Sequence, residues 1–85
     1  MMVAKFYFSD KCPDTPEFQK ALNSFGIDYQ AVNITDSMAN LKEFLSLRDQ
    51  REEFDSAKEL GRVGIPVLLT SSDLLLFDTT DLERL

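Results

Sequence analysis

The only cysteine in this chain opens the segment Cys12-Pro13-Asp14-Thr15, which stands between a strand-like run and a helix-like run. A thiolate at the start of a helix is stabilised by exposed backbone N–H groups and by the positive end of the helix dipole, so more nucleophile exists at neutral pH. Lys11 next to it would add to this effect. We therefore interpret Cys12 as a candidate nucleophile, and the competing interpretation is a passive thiol beside a turn.

Residue counts exclude several other kinds of chemistry. The chain has no His, so neither a Ser-His-Asp triad nor a Cys-His pair can form within it. A single Cys cannot form an internal disulfide or supply the thiolates of a zinc site. Fifteen Asp plus Glu against nine Lys plus Arg give a net charge of −6, which argues against a nucleic-acid groove.

The apolar runs and the N-terminal residues predict the compartment. No apolar run approaches the length that a bilayer-spanning segment needs. The first residues lack the charged head, apolar stretch and cleavage site of a signal peptide. We expect a cytoplasmic protein without nucleic-acid or membrane partners.

The first half of the chain predicts a strand, a helix and a second strand. Residues 3–8 are rich in β-branched and aromatic side chains and predict a buried strand. Residues 27–34 predict a second strand, buried on both faces towards its end. Between them lies a helix that Gly26 ends, with apolar residues at i, i+3, i+4 and i+7, namely Phe18, Ala21, Leu22 and Phe25.

The second half predicts two helices, a hairpin and a last short helix. Asp36 or Ser37 caps a helix with Leu41, Phe44, Leu45 and Arg48 on one face. A shorter helix over 52–60 stops at Gly61. Strands over 67–70 and 74–77 are separated by three residues, the length of a hairpin turn, although no Gly supplies the favoured geometry. Asp78 caps a helix that runs to residue 85.

This order predicts one α/β domain over residues 1–85, with a small mixed four-stranded sheet flanked by helices. The βαβ unit requires parallel strands, and the ββα unit that follows adds antiparallel ones. Cys12 follows the carboxyl end of the first strand. Open α/β sheets bind their ligands at that edge.

The sequence leaves two starts open for the first helix. Thr15 is a good cap with Pro16 at the first helical position, and this start leaves Cys12 a turn upstream of the dipole. If instead Cys12 is the cap and Pro13 is the first helical residue, Cys12 lies at the positive end of the helix dipole. Pro16 then removes an early backbone N–H donor from the helix. Local propensity slightly favours the Thr15 start.

The chain resembles the glutaredoxin branch of the thioredoxin-fold proteins. The resemblance is carried by Phe6-Tyr7-Phe8-Ser9 leading into Cys12-Pro13-Asp14-Thr15, and later by Gly64-Ile65-Pro66-Val67-Leu68-Leu69. Members of that branch have a strand, a Cys-Pro-x-Cys or single-cysteine motif, a helix, and later a Val-Pro or Ile-Pro that begins a strand. The order of these elements matches through nearly the whole chain. The resemblance implies a thioredoxin-like fold and favours the helix start at Cys12 or Pro13.

The resemblance also implies roles for individual residues. Cys12 is the nucleophile, and Thr15, in the place of a second cysteine, stabilises its thiolate together with Pro13. Pro66 is a cis-proline, and the backbone of Ile65 orients the substrate. Where the family has Gly-Gly and an acidic turn, this chain has Phe77-Asp78-Thr79-Thr80-Asp81. The remaining substrate-binding candidates are Lys11, Asp14, Arg62, Thr80 and Asp81, with Lys11 and Arg62 facing a glutathione carboxylate.

A glutaredoxin-like protein with one thiol implies a monothiol oxidoreductase. A mixed disulfide on Cys12 cannot be resolved internally, so release needs another thiol. Glutathione is then the co-substrate, and glutathionylated or disulfide-bonded molecules are the partners. The motif differs from the Cys-Gly-Phe-Ser of cluster-binding members, so neither an iron–sulfur cluster nor another metal is expected.

Two other interpretations stay open at this point. A redox-inactive binding module would use the groove between Cys12 and Pro66 for a peptide or protein partner. The stretches 18–22 and 26–29 are also similar to the first helix and second strand of arsenate-reductase relatives of this fold. Those relatives are longer and carry basic residues near the third strand, so this interpretation ranks last.

Overall fold

The computed structural model describes residues 4–84, of which 83 and 84 by their backbone alone. The elements in chain order are β1 (Ala4–Phe8), α1 (Thr15–Ser24), β2 (Tyr29–Asn33), α2 (Met38–Gln50), a 3₁₀ turn (Glu52–Phe54), α3 (Asp55–Glu59), β3 (Val67–Leu69), β4 (Leu75–Leu76) and a C-terminal 3₁₀ helix (Thr79–Arg84). This order confirms the α/β prediction. The predicted strand start at Val3 and helix end at Leu85 lie outside the described residues.

The four strands form one mixed sheet in the order β2-β1-β3-β4. Strand β1 runs parallel to β2, with Ala4 opposite Tyr29 and Phe8 opposite Asn33. Strand β3 is antiparallel to β1, and β4 is antiparallel to β3. Helix α1 makes the crossover that the parallel pair requires. The predicted sheet is therefore confirmed, with β1 at its centre.

One face of the sheet packs against α1 and the C-terminal 3₁₀ helix. Phe6 lies at the middle of this face, fully buried, with its ring centroid 5.1 Å from that of Phe18 and 5.5 Å from that of Tyr29. Phe25 was expected on the buried stripe of α1, but the helix ends one residue before it and its side chain is exposed. The buried members of this first core are Ala4, Phe6, Phe18, Leu22, Leu68, Leu76 and Leu82.

The opposite face packs against α2 and the 3₁₀ turn that follows it. Ser37 caps α2, since its hydroxyl oxygen accepts the backbone N–H of Asn40 at 3.1 Å. The prediction that Leu45 faces the core is wrong, because Leu41, Phe44 and Leu47 point to the sheet and Leu45 turns to the surface. The buried members of this second core are Tyr7, Val32, Ile34, Phe44, Phe54 and Val67.

A polar contact reinforces the attachment of α2 to the central strand. The Tyr7 hydroxyl donates to Oε2 of Glu43 at 2.7 Å, and the Lys5 ammonium lies 3.1 Å from the same oxygen. Burial, with the Glu43 carboxylate adding to it, raises the pKa of Tyr7. The hydrogen bond from Tyr7 lowers the pKa of Glu43, partial burial opposes this, and Lys5 lowers it further. The folded state therefore favours a neutral Tyr7 beside an ionised Glu43.

The hairpin between β3 and β4 obtains its turn without glycine. Asp73 adopts a φ of 71°, in the left-handed region that Asp tolerates better than most residues. The backbone N–H of Leu74 donates to the Thr70 hydroxyl oxygen at 3.0 Å. Arg51, at the end of α2, donates to the Asp73 carboxylate and to its backbone carbonyl at 3.0 and 3.1 Å. This turn is thus tied to the helical side of the molecule.

Within residues 4–84, every helix is too short or too polar to cross a membrane.

We predict that Glu43→Gln lowers the free energy of unfolding near neutral pH by about 0.5–1 kcal/mol, a range that allows for solvent screening of a half-exposed pair. Because the folded-state pKa of Glu43 is lowered, its contribution is present above the unfolded value of about 4.3 and is lost as the pH falls through the folded pKa. Urea unfolding at a series of pH values measures the difference in stability from the parent, which should shrink as the pH falls below the unfolded-state pKa. Glu59→Gln, at an exposed position on α3, is the control. An equal loss in both variants, or a loss independent of pH, would contradict the assignment.

Candidate functional site

The loop that carries Cys12 is organised by the backbone carbonyl of Ser9. This carbonyl accepts the backbone N–H of Cys12 at 3.1 Å and the Thr15 hydroxyl at 2.9 Å. The backbone N–H of Thr15 in turn donates to the carbonyl of Cys12 at 3.2 Å. Cys12 is a free, half-buried cysteine in this loop. Its position at the end of β1 is therefore fixed by three hydrogen bonds within the loop.

The structure decides between the two predicted helix starts. Helix α1 begins at Thr15 and its N-cap is Asp14, so the predicted start with Thr15 as cap is one residue too late, although Pro16 lies in the first turn as expected. The start at Cys12 or Pro13, which the family resemblance favoured, is not observed. Pro16 explains this, because its fixed φ and missing N–H suit the first helical turn and are unfavourable deeper in a helix. Cys12 consequently lies three residues before the helix.

Thr15 does not act as the sequence predicted. We expected its hydroxyl to donate to the Cys12 thiolate, but a hydroxyl has one proton and this one is donated to the Ser9 carbonyl. The side chain is buried at the base of the loop. Thr15 is therefore a positioning residue that holds the Cys12 loop against the end of β1.

Polar residues after β1 and β2 meet beside this loop. The Thr35 hydroxyl oxygen lies 2.9 Å from that of Ser9 and 3.1 Å from Oδ1 of Asp10. The Asn33 amide donates to the same oxygen of Asp10 at 3.3 Å, and the hydrogen bonds from Asn33 and Thr35 lower the pKa of Asp10. The roles of Asp10, Asn33 and Thr35 were not predicted from the sequence. The sequence does contain a feature that indicates this cluster, because polar side chains directly follow two predicted parallel strands.

Pro66 lines a cleft next to the Cys12 loop, here called the Pro66 cleft. The Ile65–Pro66 peptide bond is cis, as the family resemblance implied, and Pro66 is buried at the start of β3. The Pro66 cleft has a volume of about 260 Å³ and is lined by Asp14, Glu17, Phe18, Pro66, Phe77, Asp78 and Thr79. Two of the predicted residues, Asp14 and Pro66, thus come together in one cavity. Glu17, Phe77, Asp78 and Thr79 were missed as lining residues, although Glu17 follows Asp14 by one helical turn.

Four other predicted binding residues lie outside the lining of the Pro66 cleft. Asp81 accepts the backbone N–H of Asp78 at 3.3 Å, and Asp78 accepts that of Thr80 at 3.4 Å. This reciprocal capping confirms Asp78 as the cap, and it uses Thr80 and Asp81 to begin the last 3₁₀ helix. The Ile65 side chain packs against the second core, and the role predicted for its backbone stays a prediction. Arg62 lines a different cavity, which shares only Phe77 with the Pro66 cleft.

The residues around Cys12 itself are exposed. Pro13 and Lys11 are both solvent-exposed, and the backbone N–H of Lys11 donates to the Ser9 hydroxyl oxygen at 3.1 Å. Neither Cys12 nor Lys11 is among the residues that line the Pro66 cleft, whose three carboxylates come from Asp14, Glu17 and Asp78. Among the residues that the structure describes, no three His, Cys, Asp or Glu side chains are grouped to hold a metal ion.

Gly64 brings the backbone before Pro66 into close contact with the second core. It has a φ of 100°, which side chains rarely adopt, and a Cβ built on it would lie 2.9 Å from a ring carbon of Phe54. The loop can therefore approach the core this closely only with glycine here.

No family model matches the chain. A protein of Haemophilus influenzae described as uncharacterized is 40% identical to it over 77 residues, which is 91% of this chain and 90% of that protein. The chain belongs to the same family as that protein. Among solved structures, a glutathione transferase homolog from Sulfitobacter with bound glutathione matches with a TM-score of 0.53 and 19% identity. The match covers 99% of this chain but 35% of that one, so this chain spans about a third of its length. This likeness, together with the sheet described above, identifies the fold as thioredoxin-like.

We predict that Thr15→Val lowers the free energy of unfolding by about 1 kcal/mol, because it removes one buried hydrogen bond to the Ser9 carbonyl. It should also increase amide hydrogen exchange at Cys12, whose N–H shares that acceptor. Thr15→Ser keeps the hydroxyl and is the matched control. If Thr15→Val and Thr15→Ser have equal stability and equal amide exchange at Cys12, the hydrogen bond from Thr15 to the Ser9 carbonyl does not hold the loop.

We also predict that Gly64→Ala is more destabilising than Gly61→Ala. Both glycines have a positive φ, but a Cβ at Gly61 would meet no atom within 4 Å. Left-handed backbone costs about 1–2 kcal/mol for a non-glycine residue, and crowding against Phe54 adds about 1–3 kcal/mol at Gly64. Chemical denaturation of the two variants measures the difference. Equal losses of stability in the two variants would show that the Phe54 ring moves aside freely.

Proposed function

We propose that this chain is a monothiol oxidoreductase that exchanges glutathione mixed disulfides through Cys12. The position of Cys12 carries the proposal, since it lies half-buried in the loop between β1 and α1, at the carboxyl ends of the parallel strands. Ligands of open α/β sheets bind at this edge. The glutathione held by the Sulfitobacter homolog supports glutathione as the partner thiol.

The proposed reaction needs one protein sulfur and one external thiol. The Cys12 thiolate attacks a sulfur of the substrate disulfide R–S–S–R′, a Cys12–S–S–R bond forms, and R′S⁻ leaves. The thiolate of a second molecule, glutathione, then attacks the sulfur of R. That step releases the Cys12 thiolate and forms a disulfide between R and glutathione. When R is itself glutathionyl, the net reaction converts a glutathionylated molecule and glutathione into a free thiol and oxidised glutathione.

The neighbouring residues divide into those that hold the loop and those that would meet the substrate. Thr15 and Ser9 hold Cys12 through the hydrogen bonds already described. Pro66 and Asp14 line the adjacent cleft and would contact the molecule whose disulfide Cys12 attacks. The exposed Lys11, next to Cys12, supplies a cation for an approaching carboxylate.

A specific observation favours a second candidate, the redox-inactive binding module. Helix α1 starts three residues after Cys12, and the one Thr15 hydroxyl proton is donated to Ser9. Cys12 therefore lacks two of the features that the sequence comparison assigned to an active thiol. In this second candidate, the Pro66 cleft binds a peptide or protein and Cys12 takes no part in exchange.

We predict that Cys12→Ser abolishes the glutathione-dependent reduction of a glutathione mixed disulfide, because no other thiol exists in the chain. Thr15→Ser keeps the loop hydrogen bond, so its activity should stay within about twofold of the parent's. A twofold change is well below the tenfold change in rate that about 1.4 kcal/mol of activation free energy produces. Mixing the parent with oxidised glutathione should add one glutathionyl group to Cys12, detectable by intact-protein mass spectrometry.

Two results would refute the enzymatic role. One is equal turnover by the parent and Cys12→Ser; the other is no turnover by either. Alkylation distinguishes the two candidates. If the protein is a catalyst, Cys12 in the folded protein should react with iodoacetamide at neutral pH faster than Cys12 in the urea-unfolded chain. A folded protein that reacts more slowly and still binds peptide is a binding module.

A further inference from the structure

Two cavities of the described structure meet at Phe77. The first is the Pro66 cleft. The second, here called the Leu60 groove, has a volume of about 390 Å³ and is lined by Glu53, Ser56, Ala57, Leu60, Arg62, Gly64 and Phe77. Phe77 is half-buried and lines both, with its ring packed edge-on against Phe54 at a centroid distance of 5.1 Å. A concave surface therefore extends from α1 across Phe77 to α3.

The Pro66 cleft is negatively charged. Asp14, Glu17 and Asp78 contribute three carboxylates, and none of the residues that line it is Lys or Arg. Glutathione at neutral pH has two carboxylates and one ammonium group, so its net charge has the same sign as the cleft. A net charge of −6 on the whole chain adds to this repulsion. A positively charged side chain, in contrast, is complementary to the cleft.

The Leu60 groove has a different character. Ala57, Leu60 and Phe77 give it apolar walls, and Leu60 is 67% exposed although it is a large aliphatic residue. The charge of Glu53 at its rim is offset by Arg51, whose guanidinium forms an ion pair with it. Exposed apolar side chains beside a concavity are typical of binding surfaces. This end of the surface therefore suits an apolar side chain.

We infer that the substrate held on this surface is an extended polypeptide segment, with a basic side chain in the Pro66 cleft and an apolar side chain in the Leu60 groove. The inference rests on the proposed function, since Cys12 is two residues from Asp14 and their Cα atoms lie within about 7 Å of each other. When Cys12 attacks the glutathionyl sulfur of a glutathionylated protein, the protein thiolate that leaves therefore lies on this surface beside the carboxylates. The glutathionyl group left on Cys12 is released by a second glutathione, and neither glutathione occupies the Pro66 cleft.

The test measures binding without chemistry. Fluorescence anisotropy is recorded with the full-length Cys12→Ser protein and a labelled ten-residue peptide, in which Arg and Leu flank a central Ser that replaces the reacting Cys. Two further peptides have Glu for Arg, or Ser for Leu. We expect the Arg–Leu peptide to bind at least about tenfold more tightly than either of the others, a difference that corresponds to about 1.4 kcal/mol.

Matched variants test the two parts of the surface separately. Asp14→Asn with Glu17→Gln should weaken binding of the Arg–Leu peptide at least about fivefold. The control pair, Asp49→Asn with Glu59→Gln, changes the net charge equally at exposed positions outside both cavities and should have little effect. Leu60→Ser should weaken binding, whereas Leu74→Ser, at another exposed leucine, should not.

Equal binding of the Arg and Glu peptides, equal losses in the two charge pairs, or no binding of any peptide would each overturn the inference. Tight binding of glutathione itself, weakened by Asp14→Asn with Glu17→Gln, would also overturn it. The proposed function is judged independently by glutathione-dependent exchange in the parent protein. Exchange without peptide binding refutes this inference alone, and peptide binding without exchange refutes the catalytic proposal alone.

Discussion

Burial of strand β1 on both faces is the constraint on which the rest of the molecule depends. Phe6 enters the first core and Tyr7 the second, and both are almost completely buried. Because successive side chains of a strand point to opposite faces, these two neighbouring aromatic residues each contribute to the core on one side of the sheet. Strands β2 and β3 then pair with the two edges of β1. Any ligand site at the end of this strand is supported by both cores.

The Cys12 loop begins where this anchored strand ends. Ser9, the first residue after β1, has a buried side chain, and its carbonyl receives donors from both Cys12 and Thr15. The first core holds α1 through Phe18, one turn after Thr15. The geometry of the candidate nucleophile thus depends on strand and helix packing more than on contacts of the thiol itself.

The fold was largely predictable from the sequence because local and global signals agreed. Aromatic and β-branched runs, the apolar spacing of α1 and the capping residues Ser37 and Asp78 each indicated the observed element. The site was predictable only in part. Cys12 and Pro66 could be identified by their types, but the meeting of Asp14, Glu17 and Asp78 in one cleft depends on tertiary packing that no local pattern reports.

The family resemblance was least reliable where this chain differs in local detail. Pro16 moves the helix start to Thr15, and the capping pair Asp78 and Asp81 occupies the region where the resemblance implied a ligand contact. Both differences follow from the side chains present. A proline suits the first helical turn, and the Asp81 carboxylate accepts the backbone N–H of Asp78.

The contact of Gly64 with Phe54 has a consequence for how this protein family could diversify. One wall of the Leu60 groove is also a boundary of the second core, with no spare volume between the Gly64 backbone and the Phe54 ring. That wall cannot be reshaped without repacking the interior. Any change in the shape of the groove would have to arise from its other lining residues, such as Ser56 on α3, Leu60 and Arg62, which are exposed.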